Sequence, residues 1–218
     1  MSIKQNLLNI KSTLSGKVTL VAVSKTKPVE EIMEAYEAGH RDFGENKIQE
    51  MTEKWEQMPK DIRWHMIGHV QRNKVKYMAP FVHLIHAVDS LKLLKEVNKQ
   101  AQKNNRTINC LLQVYIAKEE TKFGFDPDEI LELLESSEYK NLKNVKVLGL
   151  MGMATFTENE NQIKNEFEMI QNLFNSTKES YGFTELSIGM SGDYHLAVDF
   201  GTTMVRIGSA IFGERNYN

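Results

Sequence analysis

Short apolar runs alternate with stretches of helical periodicity along the whole chain. Residues 18–24, 42–44, 63–68, 81–88, 109–117, 145–154, 185–190 and 203–207 read as eight short, buried strands. Between them lie helical patterns at 28–38, 45–57, 71–78, 91–103, 161–180 and 193–200, with another opening at Asp126-Pro127. An amphipathic helix at 3–14 precedes the first strand. Pro28 and Pro127 suit first helical turns, and Asp89 or Ser90 suits an N-cap. Strands buried on both faces and separated by helices argue a parallel sheet. Eight βα units with no spare strand favour closure into one (β/α)8 barrel over an open sheet, spanning residues 1–218 as a single domain.

Composition narrows the classes. The chain has 218 residues and a net charge of −2, with no basic stripe, so nucleic acid is not an expected partner. No apolar run reaches membrane-spanning length and no signal-peptide pattern opens the chain, so no membrane partner is expected either. A single cysteine, Cys110, excludes an internal disulfide and any multi-cysteine metal site, and mid-strand it reads as a buried thiol. These features fit a reducing cytoplasm.

In such barrels chemistry collects at the C-terminal ends of the strands, and phosphate sites favour the loops after strands seven and eight. Ser191-Gly192-Asp193 brings a hydroxyl and backbone N–H groups to a helix start, and Gly208-Ser209 brings a second close approach and hydroxyl. Arg206 ends a buried strand and needs a partner, either a phosphorylated ligand or a core carboxylate; Ser191 can equally be a helix cap. Lys25 follows the apolar run Leu20-Val21-Ala22-Val23 at the rim. Desolvation there would free its amine for Schiff-base chemistry, whereas a snorkelling lysine would reach solvent. Lys27 competes, and Lys122 is a further loop amine. Phosphate loops with a buried lysine fit pyridoxal 5′-phosphate (PLP) binding or a Schiff-base aldolase acting on a phosphorylated substrate, and spacing does not separate the two.

The residues themselves resemble a known family. Ala22-Val23-Ser24-Lys25-Thr26-Lys27-Pro28, Phe43-Gly44-Glu45-Asn46, Trp64-His65-Met66-Ile67-Gly68 and Gln71-Arg72-Asn73-Lys74 are similar to blocks of the pyridoxal phosphate homeostasis proteins. So are Gly149-Leu150-Met151, Gly189-Met190-Ser191-Gly192-Asp193 and the run from Val205 to Gly213. The blocks occur in order over nearly the whole chain. That family looks like the N-terminal barrel of alanine racemase, the fold-type III PLP architecture. The resemblance implies Lys25 as the Schiff-base lysine, Arg206 beside the pyridine nitrogen, Ser191, Gly208 and Ser209 at the phosphate, and Asn46 near the ring's polar edge. His69 and Gly192 depart from commoner family patterns.

A cation at the pyridine nitrogen weakens the ring as an electron sink, and a racemase then needs well-placed bases on both faces. In alanine-racemase-like enzymes one base comes from an additional β-domain, for which the chain has no room after strand eight; Tyr217 is a poor substitute in a terminal tail. The expectation is a PLP carrier or buffer in vitamin B6 homeostasis, delivering PLP to apo-enzymes and monomeric rather than dimeric. A weak amino-acid racemase is the alternative. Four histidines, His65, His69, His83 and His86, lack the spacing of a metal site, and His65 is expected to line the pocket rim or stabilise a loop. Met151 and Met153 are expected to pack in the barrel, with a place near the ring open to Met153, and Trp55 and Trp64 to be packing residues.

Overall fold

The computed structural model describes residues 2–117 and 123–213. Helix α1 (Ile3–Thr13) leads into β1 (Thr19–Val23), α2 (Val29–Glu37), β2 (Asp42–Glu45), α3 (Ile48–Gln57) and β3 (Arg63–Met66). A 3₁₀ turn (Arg72–Lys74) and α4 (Val75–Met78) follow, then β4 (Leu84–Val88), α5 (Leu91–Lys103) and β5 (Ile108–Val114). The chain continues through α6 (Pro127–Glu135), α7 (Ser137–Lys140), β6 (Val145–Gly152), α8 (Glu160–Tyr181), β7 (Glu185–Met190), α9 (Tyr194–Asp199), β8 (Met204–Ile207) and α10 (Ser209–Phe212). The eight strands pair in sequence order, all parallel, and β8 returns to β1 with Val21 opposite Arg206, closing the barrel. The expected (β/α)8 architecture with an extra N-terminal helix is therefore present.

Two apolar layers follow from strand alternation. Outward residues such as Ala22, Trp64, Leu112 and Val205 join the large core between strands and helices. The inward neighbours Val21, Leu111, Met151 and Met204 form a smaller cluster inside the barrel. Helix starts are capped as their residues dictate: the Ser90 hydroxyl accepts from Leu93 N, and Asp126 N donates to Glu129 Oε2 in a capping box. Trp64 is fully buried and Trp55 stacks on Phe81 with ring centroids 4.5 Å apart. Cys110 is buried, and burial pushes its thiol up, so it is inert at neutral pH.

Several boundaries differ from the periodicity. The fourth strand starts at Leu84, not at residue 81, because Phe81 N and Val82 N both donate to Met78 O and wrap the end of α4. The helix after β2 starts at Ile48, since Glu45 belongs to the strand. The pattern at 71–78 splits into a 3₁₀ turn and one α turn. Among the described residues, no helix is long and apolar enough to cross a membrane.

Candidate functional site

The C-terminal strand ends surround a cleft of about 650 Å³, and Lys25, Asn46, Ser191, Arg206, Gly208 and Ser209 all line it. Six residues spread over more than 180 positions thus converge on one cavity.

Lys25 is half-buried, two residues after the end of β1. Its turn is closed by Lys27 N donating to Ser24 O at 3.1 Å. Thr26, the next residue, has φ +66°, a left-handed conformation that is strained for a β-branched side chain. A polar network around Glu50 braces it. Thr26 N donates to Glu50 Oε1 at 2.5 Å, and the buried Lys54 ammonium donates to Glu50 Oε1, Glu45 Oε1 and Ser24 O at 2.7–2.8 Å. The Ser24 hydroxyl donates to Glu45 Oε1 at 2.6 Å. Burial drives Glu45 up to about 7 despite Lys54, and its Oε2 has no hydrogen-bond partner. This brace was missed from the sequence, although Ile48, Met51 and Lys54 share the buried face of α3, and a lysine on an apolar stripe is a signal.

Lys27 also lines the cleft, but its ammonium donates to Phe212 O at 2.8 Å and pairs with Glu31 at 3.3 Å. Its amine is held at the end of α10. Lys122 and Tyr217 lie outside the described residues.

Arg206 is buried. Nη1 donates to Ser187 O (2.8 Å) and Ser187 Oγ (2.6 Å), and Nη2 donates to Gly152 O (2.9 Å). Burial lowers its pKa to about 10, still cationic at neutral pH. It makes no ion pair, and its Nε no hydrogen bond, among the described residues. The core carboxylate that could have answered it is therefore not in contact. Asp193, whose charge acts on Arg206, accepts instead from Met190 N at 2.5 Å, shaping the turn after β7. Gly189, at φ +97°, lets α9 approach: a Cβ there would lie 2.8 Å from Ala197 Cβ. The Ser191 hydroxyl accepts from Gly208 N at 3.1 Å and ties the two anion-suited loops together. Gly192 and Ser209 are exposed beside them.

Asn46 Oδ1 is buried without a hydrogen-bond partner. Gly68 presses on it from behind; a Cβ there would come within 2.5 Å of Asn46 O. At the rim, His69 stacks on Phe123 (centroids 4.1 Å) and pairs with Asp89 at 3.0 Å. Met153 lines the cleft, while Met151 packs inside the barrel. His65 is not at the rim. It is buried inside the barrel toward the N-terminal pocket, where β3 alternation turns it inward between the outward Trp64 and Met66. No group of three His, Cys, Asp or Glu among the described residues is placed to hold a metal ion.

A closed parallel barrel with a lysine after β1 and a buried arginine on β8 places the chain in a defined class. The family described as "Alanine racemase, N-terminal domain" matches residues 1–216. An alanine racemase of Clostridium difficile 630 superposes with a TM-score of 0.79 over 100% of this chain and 58% of its own, at 16% identity, a likeness of fold alone. Two solved forms of PipY from Synechococcus elongatus PCC7942, without PLP and with PLP bound, are 33% identical and superpose at TM-scores of 0.91 and 0.89, covering 97% of this chain and 100% of theirs. The pyridoxal phosphate homeostasis protein of Aquifex aeolicus (strain VF5) is 41% identical over 201 residues, 91% of this chain and 87% of its own. The chain belongs to the pyridoxal phosphate homeostasis protein family.

Proposed function

We propose that this protein binds PLP in the C-terminal cleft and serves intracellular PLP homeostasis as a cytoplasmic, monomeric carrier that passes the cofactor to apo-enzymes. The observation that carries the reading is the convergence of one amine, one buried cation and two anion-suited loops in a single cleft. The homeostasis names of the relatives and the PLP-bound form of PipY support it.

The residues present fit the group. Lys25 Nζ is the amine for covalent attachment. Arg206 offers its cation to the ring nitrogen. Ser191, Gly208 and Ser209 would hold the phosphate, and the orphaned Asn46 Oδ1 would find a partner at the ring's polar edge. When bound, PLP supplies a reactive aldehyde and a ring that draws electrons from an attached substrate. Arg206, which stays charged at neutral pH, would donate to the ring nitrogen and disfavour a proton there. Lys27 also lines the cleft, and its ammonium donates to Phe212 O. The bracing of Thr26 by Glu50 and Lys54 holds the turn that presents Lys25.

The test is an absorbance titration of purified protein with free PLP, in wild type and Lys25→Ala. The proposal expects a visible band near ~420 nm, typical of this cofactor on a lysine, in wild type and none in the variant. No band in wild type would overturn PLP binding and direct attention to sugar phosphates as aldolase substrates. Sustained, Lys25-dependent formation of D-amino acids would replace the carrier reading with a racemase.

A further inference from the structure

A continuous polar column crosses the barrel and ends on Arg206. His65, His86, Ser187 and Arg206 each occupy the third position of their strands, β3, β4, β7 and β8. All four are buried, none more than 4% exposed. His65 Nε2 lies 3.1 Å from Asp42 Oδ1, His65 Nδ1 lies 3.0 Å from His86 Nε2, and His86 Nδ1 lies 3.1 Å from Ser187 Oγ. Ser187 Oγ in turn accepts from Arg206 Nη1 at 2.6 Å. The far end opens on the N-terminal mouth, where Arg63 grips both Asp42 oxygens at 2.7 and 2.5 Å.

We infer that Asp42, His65, His86 and Ser187 form a one-way hydrogen-bond relay whose role is to position Arg206 toward the cofactor ring nitrogen. The inference rests on the PLP reading of the cleft. The direction follows from the ends. Arginine can only donate, and an ionised carboxylate can only accept. With both rings neutral, His65 Nε2–H donates to Asp42, so His65 Nδ1 must accept from His86 Nε2–H. His86 Nδ1 is then bare and accepts the Ser187 hydroxyl proton, which leaves Ser187 Oγ to accept from Arg206. Every member is satisfied in one arrangement, and neighbouring bonds in such a chain polarise one another. Arg63 already supplies Asp42 with a cation, so the relay asks of His65 only one N–H donor toward Asp42. Burial is the largest cause holding His86 well below the ordinary imidazole range, consistent with a neutral ring. Besides Arg63, the titratable groups beside the column are His83, whose ring centroid is 5.4 Å from that of His65, and His40, whose Nε2 lies 2.8 Å from the Asp42 backbone carbonyl. At the cleft end, Nη1 and Nη2 are both tethered, to Ser187 and Gly152, so the guanidinium cannot turn without breaking three bonds. Arg206, so held, lines the cleft. In this reading Ser187, His86, His65 and Asp42 are positioning residues; none of them lines the cleft.

Two measurements on the full chain test it. The first is ¹⁵N NMR of the histidine rings without PLP. The relay expects His86 protonated at Nε2 and bare at Nδ1; a proton on Nδ1, alone or with Nε2, overturns it. The second is a double-mutant cycle on PLP affinity with S187A and D42N, each checked by thermal melting. The relay expects a loss of about tenfold in S187A and about threefold in D42N. It also expects no further loss when D42N is added to S187A, because the link is already cut. Unchanged affinity in S187A, or fully additive losses, would reduce the column to packing. Should D42N fail to fold, the ring tautomer and S187A decide the matter. Wild type that takes up no PLP would contradict the reading of the cleft, while the NMR result would still judge the relay on its own.

Discussion

The two mouths of this barrel are both polar, yet they resolve their charges in opposite ways. At the N-terminal mouth, a pocket of about 300 Å³ is lined by Asp42, Arg63, His65 and His83, and its anion is met by a cation within the protein. Arg63 and His65 outweigh the burial of Asp42 and hold its carboxyl well below the ordinary range. At the C-terminal mouth the cleft is twice as large and, among the described residues, Arg206 has no carboxylate in contact and Asn46 carries a buried oxygen with no partner. A charge matched inside the fold is structural, whereas one that lines a cleft without such a match awaits a ligand.

Variants at each mouth sharpen that contrast. The largest effect is expected from Arg206→Gln: PLP affinity measured by absorbance titration falls about thirtyfold, since a charge-assisted contact is lost. Unchanged affinity would mean the C-terminal charge is structural after all. Next comes Glu45→Gln, behind the Lys25 turn. Burial raises the folded-state pKa of Glu45 to about 7, so the stability tied to its protonated form is full below the unfolded value near ~4.3 and lost as pH rises through about 7. Urea melts should show wild type losing on the order of 1–3 kcal/mol across that window, with Glu45→Gln flat.

At the N-terminal mouth, Arg63→Ala should cost about 1–2 kcal/mol at neutral pH, discounted because half of the arginine side chain is exposed. Asp42 has a depressed folded-state pKa, so its contribution is present above ~3.9 and disappears as pH falls through the folded-state value. The wild-type advantage over Arg63→Ala in acid melts should therefore shrink below pH ~3.9. The smallest effect is expected from Ser191→Ala, which removes one hydroxyl from the anion-suited loops; PLP affinity should fall about threefold with little change in the melt.

Much of this molecule was legible in the chain. Strand alternation and βα spacing pointed to the barrel, and the positions after strands one, two, seven and eight named the residues that line the cleft. Short-range chemistry was readable too: Ser90 and Asp126-Pro127 start helices where their side chains dictate. The four-residue helices α7 and α10 were not foreseen, because four residues carry no period. The polar column was hidden for another reason. His86 meets Ser187 from 101 positions away, and alternation marks both as inward without saying which inward groups meet. That pairing depends on how the closed sheet is sheared, which a linear pattern does not carry. The brace around Thr26 was similarly obscured, since a lysine buried against a strand end looks in sequence like any helical lysine.

The central claim is that Lys25 is the point of attachment for PLP. The direct measurement is borohydride reduction of PLP-treated wild-type protein followed by peptide mass mapping. The account predicts a single reduced label, on Lys25. A label on Lys27, whose amine the structure ties to Phe212, or on any other lysine, would contradict it.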